Sequence, residues 1–475
     1  MTSLSERAPA TATAPATAEE RAGRGREARA HVPRSSHAAL DLRGDRDPIA
    51  LLEAQARSRL AELLPIRYGR MAASPFQFFR GAATVMAHDL ASTPTAGLSA
   101  QLSGDAHLLN FGGFASPDRD LVFDLNDFDE TFPGPFEWDI KRLAASFEIA
   151  GRDRGFGRAD RGRSVLRVTH AYREAMRSFA AMGDLEVWYA RLDAKAMLAR
   201  LRDQHDRRSA RDLRRSLAKA HRRDRLRALA KLTQEVEGEP RIVSDPPLLV
   251  PLSELSPRIE GVALDAEINA LFRSYRRTLP ADLRALLDRF RPIDLARKVV
   301  GIGSVGTRCW VMLLLGRDAN DPLFLQVKEA EASVLEPVLG AGRSAKHGRR
   351  VVEGQRLTQA ASDIFLGWIH SDEEVDGGAH DFYVRQLWDW KGSADLETIL
   401  PNGLASYAQA CGWTLARAHA RSGDRIAIAA YLGKSDKFDQ AIAEFAVAYA
   451  DRNERDHQAL VQSIADGKIA AVAGV

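Results

Sequence analysis

Lys298-Val299-Val300-Gly301-Ile302-Gly303-Ser304-Val305-Gly306-Thr307-Arg308-Cys309-Trp310-Val311-Met312-Leu313-Leu314 fits two incompatible folds. As a string, Gly301-x-Gly303-x-x-Gly306 satisfies the dinucleotide-binding fingerprint, which needs a helix directly after the glycines. The glycines lead instead into a continuous apolar run from Cys309 to Leu314 that contains Trp and Val, a composition that favours a strand. The stretch therefore predicts strand, glycine turn, strand. Glycines in such a turn let backbone N–H groups come close to an anion.

Downstream, Leu323 to Ala330 reads as the next strand and carries Lys328. A partly buried ammonium needs a carboxylate partner. Arg349 to Ala361 reads as a helix with Glu353 in its middle, so Glu353 is expected to pair with Lys328 in preference to Glu336. Phe365–Ile369 and Phe382–Leu387 read as two further strands, leading into the linker Trp388-Asp389-Trp390-Lys391-Gly392.

Upstream, Leu98–Leu102 alternates like a short strand and enters Ser103-Gly104-Asp105-Ala106-His107-Leu108-Leu109-Asn110-Phe111-Gly112. A second strand, Leu121 to Phe128, delivers Asp124, Asp127, Asp129 and Glu130. A carboxylate five residues before an Asn, with a later acidic cluster, is the set that phosphoryl transfer uses. One Asp orients and deprotonates an acceptor hydroxyl, while an Asn and another Asp hold magnesium. Asp105 is the candidate base, and Asn110 and Asp127 are the candidate metal ligands. Asp124 and Asp129 are the fallbacks. Like charges this close repel, and a divalent cation would relieve them.

Composition bounds the rest. The 475 residues are enough for two or three domains, and 45% apolar with 28% charged content is that of a soluble globular chain. A formal charge of +3 demands neither nucleic acid nor membrane as a partner. Cys309 and Cys411 are the two cysteines, with no metal spacing, which fits a reducing, cytoplasmic setting. No apolar run reaches the length of a membrane span. Residues 1–47 lack a signal-peptide core and are poor in aromatics, so they are expected to form a disordered tail.

Asp47-Pro48 opens a helix whose apolar spacing runs to Pro65, and Ser74-Pro75 starts another. Arg67, Arg70 and Arg80 lie in this region. They are read either as surface or ion-pairing arginines, or as contacts to phosphate or acceptor. Pro135-Phe136-Glu137-Trp138-Asp139 opens a further helix. Residues 164–300 are expected to be mostly helical, and the basic stretch Leu201–Leu232 is read as a solvated face rather than a nucleic-acid surface. Leu404 to Arg421 is a helix ending Leu415-Ala416-Arg417-Ala418-His419.

Gly104-Asp105-x-His107-x-x-Asn110 resembles the catalytic loop of the aminoglycoside-phosphotransferase and choline-kinase branch of the kinase-like fold, with Ser103 departing from that branch's His. Asp127-Phe128-Asp129 resembles its metal-binding step, and Asp139 the carboxylate that braces its loop, although an N-cap role fits Asp139 equally well. Leu325-Gln326-Val327-Lys328 resembles the strand whose Lys grips the α- and β-phosphates, and Gly301–Gly306 the hairpin that covers them. The resemblance implies nucleotide contacts for Gly301, Gly303, Ser304, Gly306, Lys328 and His107. It makes Trp388–Gly392 a hinge for adenine. In that branch a helix ending L-A-x-L-H leads into the catalytic loop, but here that helix stands near the C-terminus. The order is therefore rotated, and the expected fold is α+β and two-lobed, protein-kinase-like and circularly permuted. Its spans are a helical catalytic lobe over 48–290, a small antiparallel β lobe over 291–390, and helices over 391–475 returning to the first. Across residues 45–460 the combined motifs also resemble the uncharacterised bacterial family called domain of unknown function 2252.

The expected function is transfer of a phosphoryl group from ATP, with Mg2+, to a hydroxyl of a small molecule, with Asp105, Lys328 and Glu353 as the catalytic set. Transfer of AMP to protein, a nucleotide-sensing module without turnover and, more remotely, a dinucleotide-dependent oxidoreductase are the alternatives.

Overall fold

The computed structural model describes residues 16–41, 44, 46–193, 211, 225–255, 270–340, 342, 346–371, 379–387, 390, 392 and 394–475. The architecture is mixed α+β, and its sheets are antiparallel.

From residue 16 to 41 the described chain corrects the expectation of a disordered tail. Residues Ala18–His31 form helix α1, opened by a capping box in which Thr17 and Glu20 bond reciprocally. Few of its side chains are apolar, so composition hides it. Tertiary contacts hold it instead. Arg21 and Arg24 each pair with Asp424 at 2.9 Å, and a Cβ on Gly25 would sit 2.1 Å from the Ala427 carbonyl. His37 is buried, with Nε2 2.6 Å from the Tyr431 hydroxyl.

Four short helices come next: α2 (Pro48–Ala56), α3 (Leu64–Ala72), α4 (Pro75–Gly81) and α5 (Ala83–Leu90). Pro65 does not end the helical region. It occupies the first turn of α3, where a missing N–H has no partner to lose. Strand β1 (Ser99–Leu102) then leads into the 103–110 loop, and β2 (Phe111–Ala115) pairs with β3 (Leu121–Leu125). β4 (Phe132–Pro135) returns to pair with β1 and hands directly into α6 (Phe136–Asp153). Helix α6 is buried on nearly every side, and α7 (Arg158–Ala181) packs beside it.

Among the described residues of 164–300, helices predominate as expected, but short strands stand between them. After α8 (Asp184–Tyr189) come β5 (Leu192–Asp193), helix α9 (Arg225–Leu232), β6 (Thr233–Val236), β7 (Glu239–Ile242), β8 (Leu249–Pro251), helix α10 (Ala281–Leu287) and β9 (Arg291–Lys298). Within the basic 201–232 stretch, only Arg211 and α9 fall among the described residues. The chain continues through β10 (Cys309–Leu315) and β11 (Pro322–Glu329), then helix α11 (His347–Thr358), β12 (Gly367–Ser371) and β13 (His380–Gln386).

The main sheet has the order β12-β13-β11-β10-β9-β8. It recruits β8 from within 48–290, so the sheet begins earlier in the chain than the expected boundary at 291. One apolar cluster joins Phe272, Tyr275 and Leu287 to Leu325 and Val384. Another joins Ala228, Leu232 and Leu249 to Val311 and Phe324. Alternate residues of the same strands enter different clusters, so both sheet faces are covered. That is why β10 and β11 read as unbroken apolar runs rather than alternating ones.

Cys309 begins a strand, and no helix comes after the glycines, so the dinucleotide fingerprint lacks its required context. Gly306, at φ +92°, turns the chain out of the 301–306 loop.

Helix α12 (Pro401–Ser422) lies against α7, and α13 (Arg425–Leu432) and α14 (Lys437–Ala465) complete the chain's helices. The largest apolar cluster gathers β1, α6, α7, α12 and α14. At the end of α12 the Ser422 hydroxyl accepts from Gln101 N at 3.1 Å, so this helix abuts the strand that enters the 103–110 loop.

Candidate active site

Gly104 sits at φ +81°, and a Cβ there would meet the Glu130 carbonyl at 2.2 Å, so only glycine fits. This tight approach seats the 103–105 turn on the 127–130 turn. The Asp139 carboxylate holds the turn from beneath, accepting from Ser103 N at 2.7 Å and Gly104 N at 3.0 Å. Asp139 is therefore a brace for the loop; the N-cap of α6 is Pro135. His419, at the end of α12, brings Nε2 to 3.3 Å from Asp139, while its Nδ1 meets the Tyr172 hydroxyl at 2.9 Å.

Asp105 projects from this braced turn. Arg142 directs Nε and Nη2 at its Oδ1, at 2.8 and 2.7 Å. Oδ2 faces Nε2 of His107 at 3.8 Å. Burial pushes the Asp105 carboxyl up to about 6, and nearby Asp127 adds to the rise while Arg142 opposes it. Asn110 donates Nδ2–H to the Asp105 carbonyl at 2.8 Å. Among the described residues its Oδ1 accepts from no protein donor. His107 is buried, and Leu109 N donates to its Nδ1 at 3.2 Å. Burial, then Arg80 and Arg142, hold the imidazole well below its usual range, so it is neutral.

The acidic cluster separates into three roles. Asp124 is buried in an ion pair with Arg417 and accepts from Ala360 N at 3.0 Å. Asp129 is ion-paired with Lys328 and also accepts from the Tyr383 hydroxyl at 2.7 Å and the Ser304 hydroxyl at 3.2 Å. Protein cations thus answer two of the three aspartates, and Glu130, the fourth carboxylate, accepts from Val334 N at 2.8 Å. Asp127 is the third aspartate. Its carboxylate accepts from Asp129 N at 3.3 Å and makes no ion pair among the described residues. Ser103, where the resemblance has His, donates its hydroxyl to the Asp127 carbonyl at 3.3 Å.

Lys328 does not pair with Glu353. Glu353 is exposed and pairs with Arg349 one turn away, at 2.7 Å. Glu336 is not its partner either; it accepts from Ser333 N at 3.0 Å. Burial works against the Lys328 ammonium, but Asp129 outweighs it and holds Lys328 well above its usual range. Burial likewise raises the Asp129 carboxyl, and Lys328 more than reverses the rise. From helix α11 it is Arg350 that enters the site. It donates to the carbonyls of Thr131 at 2.7 Å, and of Asp129 and Glu331 at 2.8 Å.

The glycine loop meets this group through Ser304. Arg59 donates to the Val305 carbonyl at 2.5 Å, and Arg70 to the Val300 carbonyl at 2.7 Å. Of the loop residues, Ser304 lies beside Asp129, Gly303 under the end of α4 and Gly306 against the Arg59 side chain. Of the expected hinge, Trp388, Asp389 and Lys391 lie outside the described residues. Gly392 forms a two-bond bridge with Gly113, at 2.7 and 2.9 Å.

Sequence reasoning missed Arg142, Tyr383 and Arg350, and ranked Asp129 only as a fallback. The fit to a magnesium–nucleotide rests on what is left over: Asp127 without a counter-cation and Asn110 with a spare amide oxygen. Among the described residues no group of three or more His, Cys, Asp or Glu is arranged to hold a metal by itself. Magnesium commonly takes one or two carboxylates and fills its shell with phosphate oxygens and water, so these residues fit it.

The profile of a bacterial family described as "Uncharacterized protein conserved in bacteria (DUF2252)" matches residues 59–463. No curated protein and no solved structure matches the chain. No helix among the described residues is long and apolar enough to cross a membrane.

Proposed function

We propose that this chain, which belongs to the DUF2252 family, is an ATP- and magnesium-dependent phosphotransferase acting on a hydroxyl of a small molecule. One observation carries the reading. Lys328, in the interior of an antiparallel sheet, reaches Asp129, which closely follows the loop bearing Asp105 and Asn110 and lies 199 residues away in sequence. A lysine for phosphate, an acidic turn for metal and an Asp with one free oxygen for a hydroxyl are the parts of phosphoryl transfer.

The kinase-like, circularly permuted fold is part of the same proposal. The contact of Ser422 with Gln101 supports it, because the end of α12 stands where the permuted order requires a direct connection into β1 and the catalytic loop.

Magnesium-ATP, when bound, supplies the phosphoryl group and a neutralised leaving group. Lys328 offers donors to phosphate oxygens, since an ammonium has three and Asp129 takes one. Asp127 and Asn110 offer oxygens to the metal. Arg142 fixes Oδ1 of Asp105, leaving Oδ2 to accept the proton of the attacking hydroxyl. With its carboxyl near 6, Asp105 is mostly ionised at neutral pH yet basic enough to accept that proton. Arg350 and Asp139 act through others, holding the 129–131 and 103–104 backbone in place.

Labelled ATP tests the reading. Label from the γ-phosphate in a small-molecule product supports it. Label from the α-phosphate on protein means nucleotidyl transfer, and nucleotide binding without either product means a sensor.

A further inference from the structure

Four arginines crowd the roof of this site, and among the described residues none makes an ion pair: Arg59, Arg67, Arg70 and Arg80. Three are spent on backbone. Arg59 holds the Val305 carbonyl, Arg67 the Gly81 carbonyl at 3.0 Å, and Arg70 the Val300 carbonyl and that of Val475 at 2.9 Å. Arg80 differs. Among the described residues its one hydrogen bond runs from Nη1 to the Gln77 side chain at 2.7 Å, so it holds no backbone carbonyl, and the residue is partly exposed; its Nε is buried without a partner, as are those of Arg59 and Arg67.

Its position follows from α4. The Arg80 carbonyl would lie 3.5 Å from a Cβ on Gly303, so the end of α4 sits over the glycine loop. Its charge is felt at Asp105 and at His107, and it feels Asp127 in turn. The neighbouring Phe79 carbonyl accepts from Arg142 Nη2 at 2.8 Å, and Arg142 also holds Asp105, so the end of α4 lies near the candidate base.

Counting charges shows what this cation is left for. Arg142 answers Asp105, and Lys328 answers Asp129. Asp127 is matched by the metal of a magnesium–nucleotide. Arg80 remains outside every protein ion pair among the described residues, on the helix end that lies near the hydroxyl-activating carboxylate. An amine-bearing acceptor would be repelled there, and an anionic one would be held.

Resting on the phosphotransferase reading, we infer that the acceptor is itself an anion, a small hydroxyl compound bearing a phosphate or carboxylate group that Arg80 grips. Gln77 orients the guanidinium through Nη1, which leaves Nη2 to donate a charge-assisted bond to the anion.

The test is calorimetry on the full chain saturated with magnesium and a non-hydrolysable ATP analogue, with inorganic phosphate as the probe. Wild type should bind phosphate. Arg80→Gln should weaken that binding about ten- to a hundred-fold, the usual effect of losing a charge-assisted bond. Arg80→Lys should lose less, and affinity for the analogue should stay within about two-fold in both. Should Arg80→Gln fail to fold, as read by circular dichroism, Arg80→Lys against wild type decides on the same titration, with no loss of phosphate affinity counting against the inference. Equal phosphate affinity in wild type and Arg80→Gln, or no phosphate binding by the loaded wild type, overturns the inference alone. Loss of analogue affinity in Arg80→Gln also overturns it, and moves Arg80 to the nucleotide. Failure of wild type to bind the analogue overturns the phosphotransferase reading beneath it.

Discussion

Replacing Asp129 with Asn should destabilise the protein far more than replacing Glu353 with Gln. The Lys328 side chain is 4% exposed and that of Asp129 is 25% exposed. Removing one partner of a buried pair leaves an uncompensated charge and costs about 3–5 kcal/mol. Because Asp129 is partly solvated, the low end, about 3 kcal/mol, applies. Arg349 and Glu353 are 55% and 56% exposed and one helical turn apart, where such a pair contributes only about 0.3–0.5 kcal/mol. An unfolding entropy of about 2 cal/mol/K per residue gives about 1 kcal/mol/K for a chain of this length. Asp129→Asn should therefore lower the melting temperature by about 3 °C, and Glu353→Gln by less than about 0.5 °C.

Calorimetric melting of both variants at neutral pH checks this, and pH supplies a second arm. The folded Asp129 carboxyl lies below its ordinary range. Its contribution is thus present above the unfolded value near 4 and is lost as pH falls through the folded value. The gap between wild type and Asp129→Asn should narrow as the pH falls below about 4. A large drop for Glu353→Gln beside none for Asp129→Asn would refute the pairing. A gap that does not change with pH would refute its ionic character.

If Asp105 is the base, kcat/KM should rise with pH through about 6, and Arg142→Gln should move that limb upward, because Arg142 holds the carboxyl down; a profile flat from pH 5 to 8 would count against Asp105. Asp127→Asn should weaken magnesium-dependent ATP binding in a titration, while Asp105→Asn keeps that affinity and loses about 10²–10⁴-fold in turnover. Equal loss of affinity in both would make Asp105 a ligand or a structural residue. Gly104→Ala should cost at least about 1–2 kcal/mol from the left-handed backbone alone, and more from the clash with the Glu130 carbonyl, which a thermal melt would show; a melt like that of wild type would mean that the turn can relax.

The parts that were legible in the sequence are those whose signal is local. Apolar runs bounded by glycine located β10 and β11, and the Asp105-to-Asn110 spacing located the loop. The partner of Lys328 was not local, yet part of the answer was in plain view. On α11 the buried positions include Arg350, Val351, Gly354, Gln355 and Thr358, a face with helical spacing that excludes Glu353. Weighing that periodicity would have turned Glu353 outward and Arg350 inward. For α1 the Thr17–Glu20 capping box was readable, but its anchor at Asp424 lies some 400 residues away and leaves no local trace. β8 is three residues long, and only its pairing with β9 makes it part of the sheet.

On the phosphotransferase reading, the Lys328–Asp129 pair leaves room for a nucleotide phosphate. Asp129 is held three ways, by Lys328, Tyr383 and Ser304, and its backbone carbonyl by Arg350. It is therefore fixed independently of the lysine. Lys328 in turn is placed by the β11 register, facing Tyr383 on one neighbouring strand and Cys309 on the other. Neither residue needs the other in order to stay in position, and the ammonium keeps donors beyond the one spent on Asp129. A phosphate oxygen can thus be taken up with the carboxylate still in place, and Asp129 then keeps the ammonium charged in a site where burial alone would tend to neutralise it. On that reading the pair would be a preformed phosphate grip rather than a plug.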